Sequence, residues 1–265
     1  TPISAKKALK NGEIDIFRYL ELIAQNGAEA TDIMDPNCYS WFPANDLLVA
    51  VKASGLEVAT YATGNNFAQT NSKAFQENVE LMKNAIHATA ELNASNLRIF
   101  GGYHGDVKST MCGIDYANGF ELVIKGIEAV LPEAEKCGVT LALENHGRLP
   151  GLSEELLFIM RHFNSPQLGI CFDVANFLAH NMNENEDPIR AYEKLKKYIK
   201  HVHFKDWKTA PYGSPKRVVP TVLGSGDGIV PIRQMAYLLE KDGFAGYCSL
   251  EYEASELEGV AESIN

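Results

Sequence analysis

Short apolar runs alternate along this chain with longer stretches whose apolar positions recur every three to four residues. The runs at 28–34, 56–62, 96–100, 139–143, 168–172, 199–204 and 247–250 read as strands. Each is expected to follow a helix with recognisable ends. Asp15 caps the first, which stops at Asn26-Gly27, and a second opens near Pro43 and stops at Gly55. Ser72 opens a long helix ending near Asn93, and Asp115 opens another ending at Cys137-Gly138. Ser153 starts a fifth, with Glu154 and Glu155 in the first turn where the helix dipole favours acids. Pro188 and Pro231 suit first-turn positions, and Gly243 closes the segment that begins at Pro231.

Strands separated by such helices pair in parallel through crossovers. The pattern therefore predicts an α/β fold, either an open doubly wound sheet or a closed barrel. An open dinucleotide-binding sheet should carry G-x-G-x-x-G directly after an early strand, and none stands there. The run Gly224-Ser225-Gly226-Asp227-Gly228 comes late, and Asp227 would place a negative charge where a phosphate should sit, so it reads as a plain loop. No Pro/Gly/Ser-rich linker divides the 265 residues, a length that one barrel fills. Residues 1–265 are expected to form a single domain.

Composition narrows the function more than the fold. With 46% hydrophobic and 22% charged residues, the chain can build a large core and is not a disordered or disulfide-stapled type. Lys plus Arg number 24 against 34 Asp plus Glu, a formal charge of -10. Nucleic-acid affinity comes largely from cations that neutralise phosphates, so this balance argues against a nucleic-acid partner. The basic clusters Lys194/Lys196/Lys197/Lys200 and Lys205/Lys208 are short, and the first reads as the solvated face of a helix. The longest apolar runs, such as 47–51, fall far short of the roughly 20 residues that cross a bilayer, so no membrane span is expected. Cys38, Cys112, Cys137, Cys171 and Cys248 are odd in number and contain no C-x-x-C pair. Free thiols in a reducing, cytoplasmic compartment follow, although the lack of an initiator Met leaves room for a removed upstream export signal.

The chemistry concentrates where strands end, which is where parallel folds of this kind keep their active sites. Leu141-Ala142-Leu143 runs straight into Glu144, 169–172 into Asp173, and Ser249-Leu250 into Glu251. His201 and His203 lie two apart and so face one side of their strand. A carboxylate after a run of apolar residues is costly to desolvate without a positive partner. Singly, each residue has an ordinary explanation, a salt-bridged acid or a packed histidine. Together, Glu144, Asp173, His203 and Glu251 make a four-ligand set suited to one divalent cation, Mn²⁺, Mg²⁺, Co²⁺ or Zn²⁺.

At this point the chain resembles the xylose isomerase-like TIM barrels, which include sugar isomerases, ketose 3-epimerases, inosose dehydratases and endonuclease IV-type nucleases. The resemblance spans about 14–253. It is carried by Leu143-Glu144-Asn145-His146-Gly147, Cys171-Phe172-Asp173-Val174-Ala175-Asn176, His201-Val202-His203-Phe204-Lys205-Asp206, Leu223-Gly224-Ser225-Gly226-Asp227-Gly228 and Ser249-Leu250-Glu251-Tyr252-Glu253. It implies metal ligation by Glu144, Asp173, His203 and Glu251, and pocket-lining roles for the segments at 97–102, with Arg98, and 63–67, with Asn66. Two departures matter. Where ketose epimerases of the family commonly place a substrate-binding His three residues after the Asp ligand, this chain has Asn176, which can hydrogen-bond a hydroxyl but transfer no proton. The additional zinc-binding histidines of the nuclease branch are not evident: His87 falls in a helix, His104 in a loop, and His162 and His180 look peripheral.

A family barrel has eight strands, the first preceding the helix near Asp15, yet Thr1-Pro2-Ile3-Ser4-Ala5-Lys6-Lys7 does not read as a strand. The expectation is a (β/α)8 TIM barrel whose first strand is absent from these residues. The leading expected activity is sugar isomerisation or epimerisation through an enediolate, with Glu144 and Glu251 as the acid/base pair and a small-molecule sugar or keto-sugar as partner. His146, Asn176, Lys205, Arg98, Asn66 and Trp207 are the expected substrate contacts, with Phe67 and Tyr103 as further candidate walls or core residues. His201 is expected to pack inside the barrel. Two rivals remain: a metal-dependent lyase or dehydratase on keto-inositols or 3-keto-glycosides, with His146 as general acid, and a non-catalytic carbohydrate-binding barrel. A homo-oligomer is compatible with all three.

Overall fold

The computed structural model describes residues 1–35, 38, 44–102, 116–147, 149–179, 186–214, 217–254 and 256–264. A 3-10 turn at Pro2–Ala5 leads into α1 (Lys6–Asn11) and α2 (Ile16–Gln25). Strands and helices then alternate as β1 (Ala30–Met34), α3 (Ala44–Ser54), β2 (Glu57–Ala62), α4 (Ser72–Glu91), β3 (Leu97–Ile99), α5 (Tyr116–Cys137), β4 (Leu141–Glu144), α6 (Ser153–Phe163) and β5 (Leu168–Asp173). The remainder is α7 (Asn176–Ala179), α8 (Pro188–Leu195), β6 (Ile199–Phe204), β7 (Asp206–Thr209), β8 (Val218–Thr221), α9 (Ile232–Lys241), β9 (Tyr247–Leu250) and α10 (Leu257–Ile264).

All seven expected strands form, within a few residues of the expected bounds, and they pair in parallel in the order β1-β2-β3-β4-β5-β6-β9. The result is a nearly closed TIM barrel. At the seam, Ser249 Oγ of β9 donates to Asp32 Oδ1 of β1 at 2.7 Å. The first residues form the 3-10 turn and not a strand, and they brace the same edge: Ser4 Oγ donates to Leu250 O at 3.3 Å and accepts from Tyr252 N at 2.9 Å.

The helix ends follow local chemistry. Asp15 accepts from Arg18 N at 2.8 Å, and Asp187 caps α8 ahead of Pro188. Asn71, one residue earlier than expected, caps α4 by accepting from Ala74 N at 3.1 Å. Gly138 leaves α5 at φ +69, a turn that a side chain would strain. The antiparallel β7–β8 hairpin was not legible beforehand, because Pro220 and Lys208 interrupt both halves of its pattern. Among the described residues no helix is long and apolar enough to cross a membrane, and Cys38, Cys137, Cys171 and Cys248 are all free thiols.

Two irregularities in the ladder bear on the site. The register shifts opposite Thr31/Asp32 of β1, where Ala59 of β2 is the extra residue, and opposite Ile170/Cys171 of β5, where Lys200 of β6 is. Such bulges re-aim the side chains beyond them. The outward faces of the strands, with Leu97, Ile99, Leu143, Ile170 and Phe172, are fully buried under the helices. The inner face near the carboxyl ends is polar.

Candidate metal centre

β4, β5, β6 and β9 deliver four buried side chains to one point. The register places Asp173 beside His203, and His203 beside Ser249, two residues before Glu251. Donor atoms of Glu144, Asp173 and His203 lie within 4.8 Å of one another. His203 Nδ1 is 3.8 Å from Glu144 Oε1 and 3.5 Å from Glu251 Oε1. Neither nitrogen of this ring has a hydrogen-bond partner, although His203 is 1% exposed. A buried imidazole without partners, ringed by carboxylate oxygens, is the donor chemistry that a divalent cation completes.

The electrostatics agree. Burial alone would push Glu144 up, but His203 and Arg98 outweigh it and hold the carboxyl well below its ordinary range. Glu251 is likewise opposed by burial and brought down to about 2 by His203 and Lys205. Burial raises Asp173 to about 6 despite Lys205. Burial disfavours a charged His203, yet Cys171, Glu251 and Glu144 draw a proton onto it and lift it well above the usual imidazole range. Where this chain gathers carboxylates it demands positive charge, and a cation would supply what the imidazolium otherwise provides.

Around these four residues stand most of the expected substrate contacts. Lys205 is buried with Nζ 2.8 Å from Asp173 Oδ2, 3.3 Å from Glu251 Oε2 and 3.0 Å from Glu253 Oε1. Burial opposes its charge, but Asp173, Glu251 and Glu253 hold it protonated well above the usual lysine range. Arg98 Nε lies 3.4 Å from Glu144 Oε2, its Nη1 donates to Thr63 O at 2.8 Å, and its guanidinium covers the Phe100 ring at 4.0 Å. Asn176 Nδ2 donates to Glu144 Oε1 at 3.3 Å. Its backbone N, with that of Ala175, donates to Asp173 Oδ1 at 2.9 Å, which aims the other oxygen at Lys205. His146 packs on Phe100 with ring centroids 4.6 Å apart.

Asn66 shapes its own turn, its Oδ1 accepting from Ala68 N at 3.0 Å. Phe67 is wholly buried against Gly126 of α5, a core position. Trp207 belongs to the β7–β8 hairpin and is largely buried. His201 packs inside the barrel, as expected, with Nε2 3.7 Å from Asp32 Oδ1. His87 pairs with Glu133 at 3.2 Å and His162 approaches Glu128 at 3.9 Å, both on the helical surface. Pro43, Tyr103, His104, Cys112, Asp115 and His180 lie outside the described residues. Asp32 and Glu253 were missed. Asp32 Oδ2 is 3.8 Å from His203 Nε2. An acid in the middle of the buried run Thr31-Asp32-Ile33 was the signal available.

The sequence profile described as xylose isomerase-like TIM barrel matches residues 14–265. The chain belongs to this family. Within the xylose isomerase-like barrels, MJ1311 of Methanocaldococcus jannaschii, an uncharacterized protein, is 25% identical over 243 residues, which is 88% of this chain and 77% of that one. The probable 3-DHS dehydratase AsbF from Bacillus anthracis has the same fold, with TM-score 0.74, 17% identity and coverage of 99% and 95% of the two chains. So does 3-keto-D-glucoside 4-epimerase, YcjR, from E. coli, with TM-score 0.73, 14% identity and coverage of 94% and 91%. The fold therefore houses both epimerase and dehydratase chemistry among its relatives.

Proposed function

We propose that this chain, acting as one barrel domain over residues 1–265, is a divalent-metal-dependent isomerase or epimerase of a ketose or related keto-sugar. The observation that carries this reading is the convergence of Glu144, Asp173, His203 and Glu251 on one point, with both His203 ring nitrogens unpartnered. These four residues would hold the cation. When bound, it would act as a Lewis acid on a substrate carbonyl and the neighbouring hydroxyl, favouring negative charge on those oxygens.

The protein's own groups would do the rest. Glu144 and Glu251 are held ionised by their neighbours, so each can accept a proton. They reach the site from β4 and β9, on either side of β5 and β6. One carboxylate would remove the proton from the carbon next to the carbonyl, leaving an enediolate, and the other would return it on the opposite face, inverting that centre. Positioned acid–base work of this kind contributes typically about 10²- to 10⁴-fold. Lys205, fixed by three carboxylates, would keep positive charge beside the developing oxyanion. Arg98 and Asn176 would orient Glu144, and Asn176 moves no proton. Of the described buried cations at the site, Lys205 and Arg98 already face carboxylates, which supports a neutral, unphosphorylated substrate.

His146 favours a second reading. An imidazole two residues beyond Glu144, at the same strand end, could protonate a leaving group, which would turn the same enediolate toward elimination on a keto-inositol or 3-keto-glycoside. A panel of ketoses, keto-inositols and 3-keto-glycosides in deuterated water separates the two: solvent deuterium in an inverted product supports epimerisation, and an enone or a released aglycone overturns it. Glu144→Gln and Glu251→Gln should each lower turnover by at least about 10²-fold and weaken metal uptake. A protein that holds no stoichiometric Mn²⁺, Co²⁺, Mg²⁺ or Zn²⁺ would instead be a non-catalytic carbohydrate-binding barrel.

A further inference from the structure

The barrel layer just beneath the proposed ligands carries chemistry that the proposed reaction leaves unused. Inner positions of such barrels are normally filled by branched apolar side chains. Here Asp32, Cys171, His201 and Ser249 meet instead, all buried. His201 is 0% exposed, and neither of its ring nitrogens has a hydrogen-bond partner. The register sets Cys171 directly beside His201 and, two residues on, Asp173 beside His203. Donor atoms of Cys171, His201 and His203 consequently lie within 4.8 Å of one another.

We infer that Cys171, His201 and His203 form a second, inner site for a thiophilic divalent cation such as Zn²⁺ or Cd²⁺. One thiol and two imidazoles make a softer donor set than the carboxylates above it, which suit Mn²⁺ or Mg²⁺. Binding exchanges the Cys171 S–H bond for a sulfur–metal bond and releases the proton to solvent. His203 faces both sets, so an ion seated on the inner one takes a ligand from the outer one. This competition rests on the role proposed above for His203, whereas the inner site itself does not.

The test titrates the metal-free full chain with Cd²⁺ and follows thiolate-to-cadmium charge-transfer absorption in the ultraviolet. Wild type and Cys137→Ala should show the inner-site band, and Cys171→Ala and Cys171→Ser should lose it while still binding Mn²⁺. The ratio of Cd²⁺ to Mn²⁺ affinity should fall by about 10- to 100-fold in Cys171→Ala. His201→Asn, which keeps the thiol, should move that ratio the same way. An unchanged band and ratio in the Cys171 variants overturns the inner site. If no protein binds Mn²⁺ but the Cd²⁺ band follows Cys171, the proposed function fails and the inner site stands.

Discussion

Replacing Lys205 by Met asks how far the order of the barrel mouth depends on one ammonium. Its side chain is 3% exposed, and Nζ lies within 3.3 Å of carboxylates from Asp173, Glu251 and Glu253. Methionine keeps most of the length and removes the charge, leaving Asp173 and Glu251 desolvated without that partner. Removing one member of a buried pair costs about 3–5 kcal/mol, because the remaining charge stays buried and uncompensated. The three contacts share one cation, so the figure is counted once. At about 2–4 °C per kcal/mol for a chain near this size, the thermal midpoint should fall by about 6–20 °C. Circular dichroism melts with chelator measure this drop directly. The same melts with excess Mn²⁺ should show a larger metal-induced rise for the variant than for wild type, since the cation would neutralise the carboxylates that Lys205 no longer serves. A variant that melts within about 2 °C of wild type in chelator would refute the account, because that is a loss of 1 kcal/mol or less.

Three further substitutions test the frame that holds the site. Gly126→Ala on α5 would set a methyl inside contact distance of the wholly buried Phe67 ring; overpacking of about 1–3 kcal/mol should exceed the roughly 1 kcal/mol gained in helix propensity, lowering the urea midpoint. Asp32→Ala leaves the Ser249 hydroxyl without its 2.7 Å acceptor at the seam, a loss of about 1–3 kcal/mol by urea unfolding, and a double-mutant cycle with Ser249→Ala should give a non-zero coupling. Asp15→Ala should cost about 1 kcal/mol in the same assay by uncapping α2, with Asp15→Asn retaining most of it.

Much of this architecture could be read along the chain. Strand runs such as 141–143 and 168–172 carry no polar side chain because both faces of a parallel sheet are covered, and that pattern is visible without knowing what covers them. The helix starts are equally local: Asp15 and Asp187 accept from backbone N–H groups within three residues of themselves, and Pro188 fits the first turn, where no N–H is needed. The hairpin at 206–221 was not visible, because its pairing is set by residues across the turn and its own pattern is broken by charge and proline. Asn66 and Phe67 show a related limit: strand-end position alone does not say whether a side chain turns into the mouth or back under a helix, and of the two roles open for Phe67, wall or core, the fold gives it the core position under α5.

The candidate site divides along the same line. Placement of Glu144, Asp173, His203 and Glu251 at strand ends follows from the sequence alone, since alternation along a strand and the parallel order of strands bring such positions to one end of a barrel. Distances, protonation and partners do not follow from it. Only the folded chain puts Lys205 among three carboxylates, leaves His203 without a hydrogen bond, and brings Asp32 from β1 and Cys171 from β5 against the two histidines of β6. Those contacts join residues from about 30 to about 170 positions apart, whose meeting is fixed by the closure and stagger of the sheet. The sequence by itself thus determined which chemistry would gather at the mouth. The tertiary structure decided which groups share charge there and what lies one layer below.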